Sequence, residues 1–166
     1  MQWRGTTWIW VLAVLLLAFA IRSVAAVTWQ SRLTDPATFA LPDSATYWEL
    51  ARTIANGEPY QYGSSESRVF RTPGYPAILS LLFFGHTDPP VVWARLAGAF
   101  FGTLTVAAAM LLARLLFNRR VALLTGWLVT LYPGGIGLSV LVLSETPFCP
   151  LMMGQLVFWV LAWKSS

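Results

Sequence analysis

The sequence predicts an all-α membrane protein of about four transmembrane helices, with two further interfacial helices in the first exoplasmic loop. Three observations carry that prediction. Apolar residues make up 57% of the chain and charged residues only 11%, whereas a soluble domain usually carries about a quarter charged residues. The apolar residues gather into runs of roughly 20, the length that crosses a ~30 Å hydrocarbon core at about 1.5 Å per helical residue. The charges sort by side: Asp35, Asp43, Glu49, Glu58, Glu66 and Asp88 lie between residues 30 and 90 and Glu145 in a later turn, so all 7 acids fall on one side of the predicted spans.

The first span covers about 7–27. Arg4 and the small residues Ser23 to Ala26 give this stretch some likeness to a secretory leader. Its uncharged run is longer than the ~7–15 residues of a leader's apolar region and opens among Trp3, Trp8 and Trp10, which favours an uncleaved anchor. Arg22 stands out inside this run. It reads either as snorkelling to the outer interface or as pairing with a loop carboxylate.

The loop at about 30–90 opens with Pro42-Asp43-Ser44, a helix start with Asp43 or Ser44 as cap. Tyr47, Leu50, Ala51 and Ile54 then recur at helical spacing and predict an amphipathic helix to Asn56, in the interface plane. Asn56-Gly57 and Pro59 stop it. A polar connector at 63–67 leads to Arg71-Thr72-Pro73-Gly74-Tyr75-Pro76. Residues 77–84 are apolar but too few to cross, and predict a second, half-embedded helix before the turn at 85–90.

Further spans follow at about 91–117, 121–143 and 147–163. The third contains Tyr132-Pro133-Gly134-Gly135, which predicts a kink or fracture near mid-membrane. Ser144-Glu145-Thr146-Pro147 supplies the turn into the fourth. Arg4, Arg114, Arg119, Arg120 and Lys164 fall on the side that has no acid, which is the expected cytoplasmic side. The amino terminus is then cytoplasmic and the long loop exoplasmic. A fifth crossing at 77–84 would put Arg119 and Arg120 outside, against that rule.

Several function classes lose support at once. The net charge of +4 comes from scattered residues with no basic stripe, so nucleic acid is not an expected partner. Nucleotide loops, zinc-ligand sets and serine-hydrolase elbows are absent from the sequence. The single cysteine, Cys149, reads as a small buried hydrophobe, and the single histidine, His86, as a loop residue. Nothing requires a cofactor, no metal ligands are assigned, and the use of a divalent metal stays open.

Four residues are candidates for a site in or beside the exoplasmic loop. Asp43 can serve as general base, or as an N-cap carboxylate alone. Arg71, ahead of a stiff Pro-Gly-Tyr-Pro turn, suits a lipid phosphate, or is one more arginine near an anionic surface. Tyr75 lines a sugar pocket or anchors at the interface. Glu145, at the mouth of a span, positions substrate, pairs with an arginine, or caps a helix.

The segments DSATYWELARTIANGEPY, RTPGYPAILSLLF, VVWARLAGAFFGTLTVAAAMLLARLLF, LYPGG and LSETPF, in this order and spacing, resemble the start of polytopic glycosyltransferases of the GT-C fold. The nearest groups are the bacterial dolichyl-phosphate-mannose-protein mannosyltransferase-like and lipid A aminoarabinose transferase-like proteins. The resemblance implies inverting transfer of a sugar from a polyprenyl-phosphate donor on the exoplasmic face of the bacterial cytoplasmic membrane. It matches Asp43 to the acidic residue of the first exoplasmic loop and Arg71 to the basic residue that contacts donor phosphate. Relatives often carry Asp-Glu where this chain has Asp43-Ser44, and some have an acid at the position of Phe70, which puts a second carboxylate or metal role in doubt. Relatives also have eight or more spans. The chain is therefore expected to be their amino-terminal portion, as a truncated frame, a fragment, or a piece that works with a remaining transferase segment or partner subunit. The rival reading is a noncatalytic four-span subunit whose loop binds a partner or lipid headgroups. A transporter, favoured only by the broken helix, is a third.

Overall fold

A computed structural model describes residues 5–35, 39–64 and 71–165. Arg4, Trp3, Phe70 and most of the 63–67 connector lie outside the described residues. The elements in order are α1 (Gly5–Ser31), α2 (Pro42–Ala55), α3 (Gly74–Ser80) with a 3-10 turn at Leu81–Phe83, α4 (Val92–Leu116), α5 (Arg119–Leu131), α6 (Pro133–Val140) and α7 (Glu145–Ser165). No strand occurs among the described residues. Helices α1, α4 and α7 are each long and apolar enough to cross a membrane, and α5 with α6 forms a pair bent by 56° that completes up to four spans. The chain is an all-α, multi-pass membrane protein.

α4 is the central helix and packs against α1, α5, α6 and α7. Val11, Val14 and Ala18 of α1 close against Val106 and Met110 of α4 within the apolar layer. The outward faces carry large apolar side chains such as Leu16, Phe158 and Trp159, as a lipid-facing surface requires. On α4, Gly98 and Gly102 stand four residues apart and let α6 approach closely. A Cβ on Gly98 would lie 2.2 Å from the Ser139 carbonyl oxygen, so only hydrogen fits there.

The break between α5 and α6 follows from Pro133. Proline has no N–H, so the Val129 carbonyl loses the donor that a continuous helix would provide. Arg22 replaces it. Its Nη2 donates to the Val129 oxygen at 3.1 Å, and its Nη1 to those of Ala18 at 3.2 Å and Thr130 at 3.4 Å. Arg22 is 1% exposed, so it neither snorkels to the interface nor pairs with a loop acid; the broken backbone beside it captures the guanidinium first. Arg95, also 1% exposed, does the same at the other end of α6, with Nη1 donating to the Val140 oxygen at 2.8 Å and Nε to Gln30 Oε1 at 2.8 Å. Both cations sit where helix C-terminal carbonyls concentrate negative partial charge.

Helices α2 and α3 lie over the end of the bundle where α1 leaves and α4 enters. Tyr47, Trp48 and Ala51 of α2 pack with Tyr75, Leu79 and Phe83, and with Val91, Ala94 and Val142 beneath. The Trp48 and Phe83 rings are 4.8 Å apart. α2 stops at Asn56 and Gly57, whose φ of +68° suits glycine. The second short helix starts at Gly74, three residues before the apolar run, because Pro73 and Pro76 fit a first helical turn.

Candidate functional site

Pro42 occupies the first turn of α2 and Leu41 the N-cap position, which has no side-chain capping bond. Neither Asp43 nor Ser44 caps the helix. The Asp43 carboxylate lies one position further in, near the positive end of α2, and accepts a charge-assisted hydrogen bond from Nη2 of Arg71. The ion pair is partly open to solvent: the Asp43 side chain is half exposed and that of Arg71 about a third.

Two tyrosines fix Arg71. Its guanidinium carbon lies 5.6 Å from the centre of the Tyr47 ring, in cation–π range. Its backbone carbonyl accepts the Tyr60 hydroxyl at 2.9 Å, which ties the start of the Pro-Gly-Tyr-Pro turn to the chain leaving α2. Tyr47 also links the other two candidates. Its ring meets that of Tyr75 edge-on at 5.2 Å. Its hydroxyl donates to Ser144 Oγ at 3.0 Å, and Ser144 in turn donates to Glu145 Oε2 at 3.3 Å. Tyr47 thus touches Arg71 and Tyr75 directly, and is joined to Asp43 through Arg71 and to Glu145 through Ser144.

Tyr75 and Glu145 open onto a cavity of about 420 Å³, bounded also by Thr72, Gly74, Phe148 and Leu151. Thr72, Ser144 and Glu145 are its polar members, and the exposed Phe148 and Leu151 of α7 belong to its apolar lining. Burial, reinforced by the neighbouring Tyr47 and Glu145, raises the Tyr75 phenol above its usual pKa. Tyr75 is therefore a neutral wall and hydrogen-bonding group at physiological pH. Among the described residues no three His, Cys, Asp or Glu side chains converge as a metal-ligand set. His86 stacks edge-on with Trp93 at 5.0 Å, in the exposed loop.

The arrangement offers a cation for an anionic group and a carboxylate for a proton, with a largely apolar recess that reaches Thr72, next to Arg71, but is lined by neither Asp43 nor Arg71. Sequence reasoning assigned no role in the site to Tyr47, Tyr60 or Ser144. The only signal for Tyr47 was its place on the packed face of the amphipathic helix, and tyrosine, unlike leucine at the same position, adds a hydroxyl to that face. Tyr60 and Ser144 left no such signal.

No curated protein and no solved structure matches the chain significantly. A family model for dolichyl-phosphate-mannose-protein mannosyltransferase matches residues 66–165, more than half of the chain. That region includes Arg71, Tyr75 and Glu145 and leaves Asp43 outside. With the helical membrane architecture and a match of this extent, the chain belongs to the dolichyl-phosphate-mannose-protein mannosyltransferase family.

Proposed function

We propose that the chain forms the donor-handling part of a membrane glycosyltransferase that moves a sugar from a polyprenyl-phosphate donor to an acceptor on the exoplasmic face. The membrane is the cytoplasmic membrane of a bacterium, with the amino terminus inside. Arg71 holds the donor phosphate, Asp43 takes the acceptor's proton, and Tyr75 and Glu145 border the sugar. The single observation behind this reading is the contact of Asp43 with Arg71, one residue from Thr72 on the edge of the Tyr75 and Glu145 recess.

An inverting displacement puts acceptor and leaving phosphate on opposite sides of the anomeric carbon, so base and clamp must stand apart by the width of the reacting group. Their direct pairing is then a resting arrangement. Donor phosphate competes for the guanidinium, which keeps its place over Tyr47, and Asp43 is released toward the acceptor. The acceptor O–H or N–H gives its proton to Asp43 as the new bond to the anomeric carbon forms. The sugar–phosphate bond breaks with its electron pair on phosphate oxygen, where Arg71 stabilises the charge.

The test uses membranes carrying the chain and a radiolabelled polyprenyl-phosphate sugar. Asp43→Asn should lower transfer by about 10²–10⁴-fold, the usual worth of a positioned base. Photocrosslinking of a polyprenyl-phosphate probe should survive Asp43→Asn and fall sharply in Arg71→Gln. Equal transfer by wild type and Asp43→Asn removes Asp43 from the chemistry. If variants at both positions change only the amount of assembled protein, the noncatalytic-subunit reading replaces this one.

A further inference from the structure

A second recess lies inside the bundle, where α5 breaks into α6. Its volume is about 420 Å³, and Arg22, Gly102, Gly134, Gly135, Ser139 and Thr146 bound its polar part, with Val129 and Leu138 among its apolar walls. None of the residues lining it is acidic. It is separated from the Tyr75 cavity by the first turn of α7: Thr146 and Cys149 face this recess, and Glu145, Pro147 and Phe148 face the other.

Three features make this recess complementary to an oxyanion. Arg22 is 1% exposed, and its hydrogen-bond partners are backbone carbonyls, so its full charge has no counter-ion in the recess. Its Nε is buried without a hydrogen-bond partner, packed against Gly102. The third is the amino end of α6. Pro133 brings no N–H, and the Ile136 N–H returns to the Tyr132 carbonyl at 3.1 Å. The N–H groups of Gly134 and Gly135 belong to the first turn, where a helix has no internal acceptor for them, and neither residue has a side chain to screen them. A Cβ on Gly135 would lie 3.7 Å from Arg22 Nη2, so the first turn of α6 stands next to the guanidinium, with the Tyr132 ring packed against Gly134.

A helix amino end beside an arginine fork is the pairing that best recognises phosphate. The cost of leaving a guanidinium uncompensated at this depth in a bilayer favours an anion that is carried there by lipid. We infer that the Arg22 recess binds the phosphate of a membrane lipid, held by Arg22 and the Gly134 and Gly135 amides, as a site separate from the Arg71 donor site. This inference does not depend on the proposed transfer reaction. Two lipids carry the same chemistry, an anionic glycerophospholipid and a free polyprenyl phosphate, and the test separates them.

The chain, placed in phosphatidylcholine nanodiscs, is titrated with phosphatidylglycerol, polyprenyl phosphate or oleate, and retained lipid is read by native mass spectrometry. Wild type should retain one of the two phosphate lipids, and whichever is held identifies the source. Arg22→Gln removes the charge together with the Nη donors to the α5 carbonyls, and should lower retention about tenfold, as expected for losing a charge-assisted contact. Gly135→Ala meets only ordinary van der Waals contacts, so it folds even if Arg22→Gln does not, and it should lower retention severalfold by crowding the amides. Equal retention by wild type and Gly135→Ala, or oleate held as well as the phosphate lipids, would overturn the inference.

Discussion

The chain uses arginine in two opposite ways, and the contrast between its two ends of α2 and α6 is instructive. Arg71 is partly exposed, faces a carboxylate, and lies over an aromatic ring. Arg22 and Arg95 are fully buried and donate to the carbonyls of a broken span. A solvent-accessible ion pair contributes little to stability, because water screens it and two side chains must be ordered to make it. A buried guanidinium that satisfies orphaned carbonyls contributes much more, because without it those groups have no alternative donor in hydrocarbon. Arg71 is thus available for chemistry, whereas Arg22 and Arg95 hold the scaffold that carries it.

The sharpest way to break this contrast is at the buried end. Arg22→Ala should destabilise the chain by about 2–5 kcal/mol, from unsatisfied carbonyls and the space left behind. The measurement is the thermal unfolding midpoint in nanodiscs, and a midpoint within error of wild type would show that the carbonyls find other donors. Gly98→Ala comes next, at about 1–3 kcal/mol, because the added methyl meets backbone at Ser139 that cannot rotate away. Tyr47→Phe removes only the hydroxyl bond to Ser144 and should cost about 1 kcal/mol, while loosening the position of Glu145 enough to lower sugar transfer more than stability.

At the accessible end the expected changes are smaller still. Asp43→Asn should alter stability by less than about 1 kcal/mol, whatever its effect in the proposed transfer; a loss as great as that of Arg22→Ala would erase the distinction. Tyr75 gives the mildest signal. Its phenol is held above the ordinary value near 10, so its contribution to folding is intact below about pH 10 and declines as pH rises further. Ultraviolet titration of tyrosinate should show a late absorbance step that disappears in Tyr75→Phe.

Much of the scaffold was legible in the sequence. Run lengths give the three long apolar helices and the broken pair that completes up to four spans, Tyr132-Pro133-Gly134-Gly135 gives the fracture, and the apolar spacing from Tyr47 to Ile54 gives α2. These features depend on local composition, which hydropathy and backbone chemistry read directly. The destinations of Arg22 and Arg95 were not legible, since they depend on which neighbour's backbone is interrupted alongside. A partial signal existed, because Pro133 orphans a carbonyl and an arginine in the apolar layer is a natural donor for it. The Gly98 and Gly102 pair was likewise visible as two small residues four apart. At the site, the residue types pointed to Asp43 and Arg71, but the expectation that Asp43 or Ser44 caps α2 failed because Leu41 holds that position. The role of Tyr47 as their common neighbour is tertiary and left only its periodicity behind.

That shared neighbour has a mechanical consequence. Rotating α2 by one residue turns its faces by about 100°, which would part Tyr47 from Arg71, Tyr75 and Ser144 together. The helix therefore acts as a single dial for the whole pocket, and substitutions on its underside at Trp48 or Ala51, remote from any substrate atom, should change sugar preference and turnover in concert.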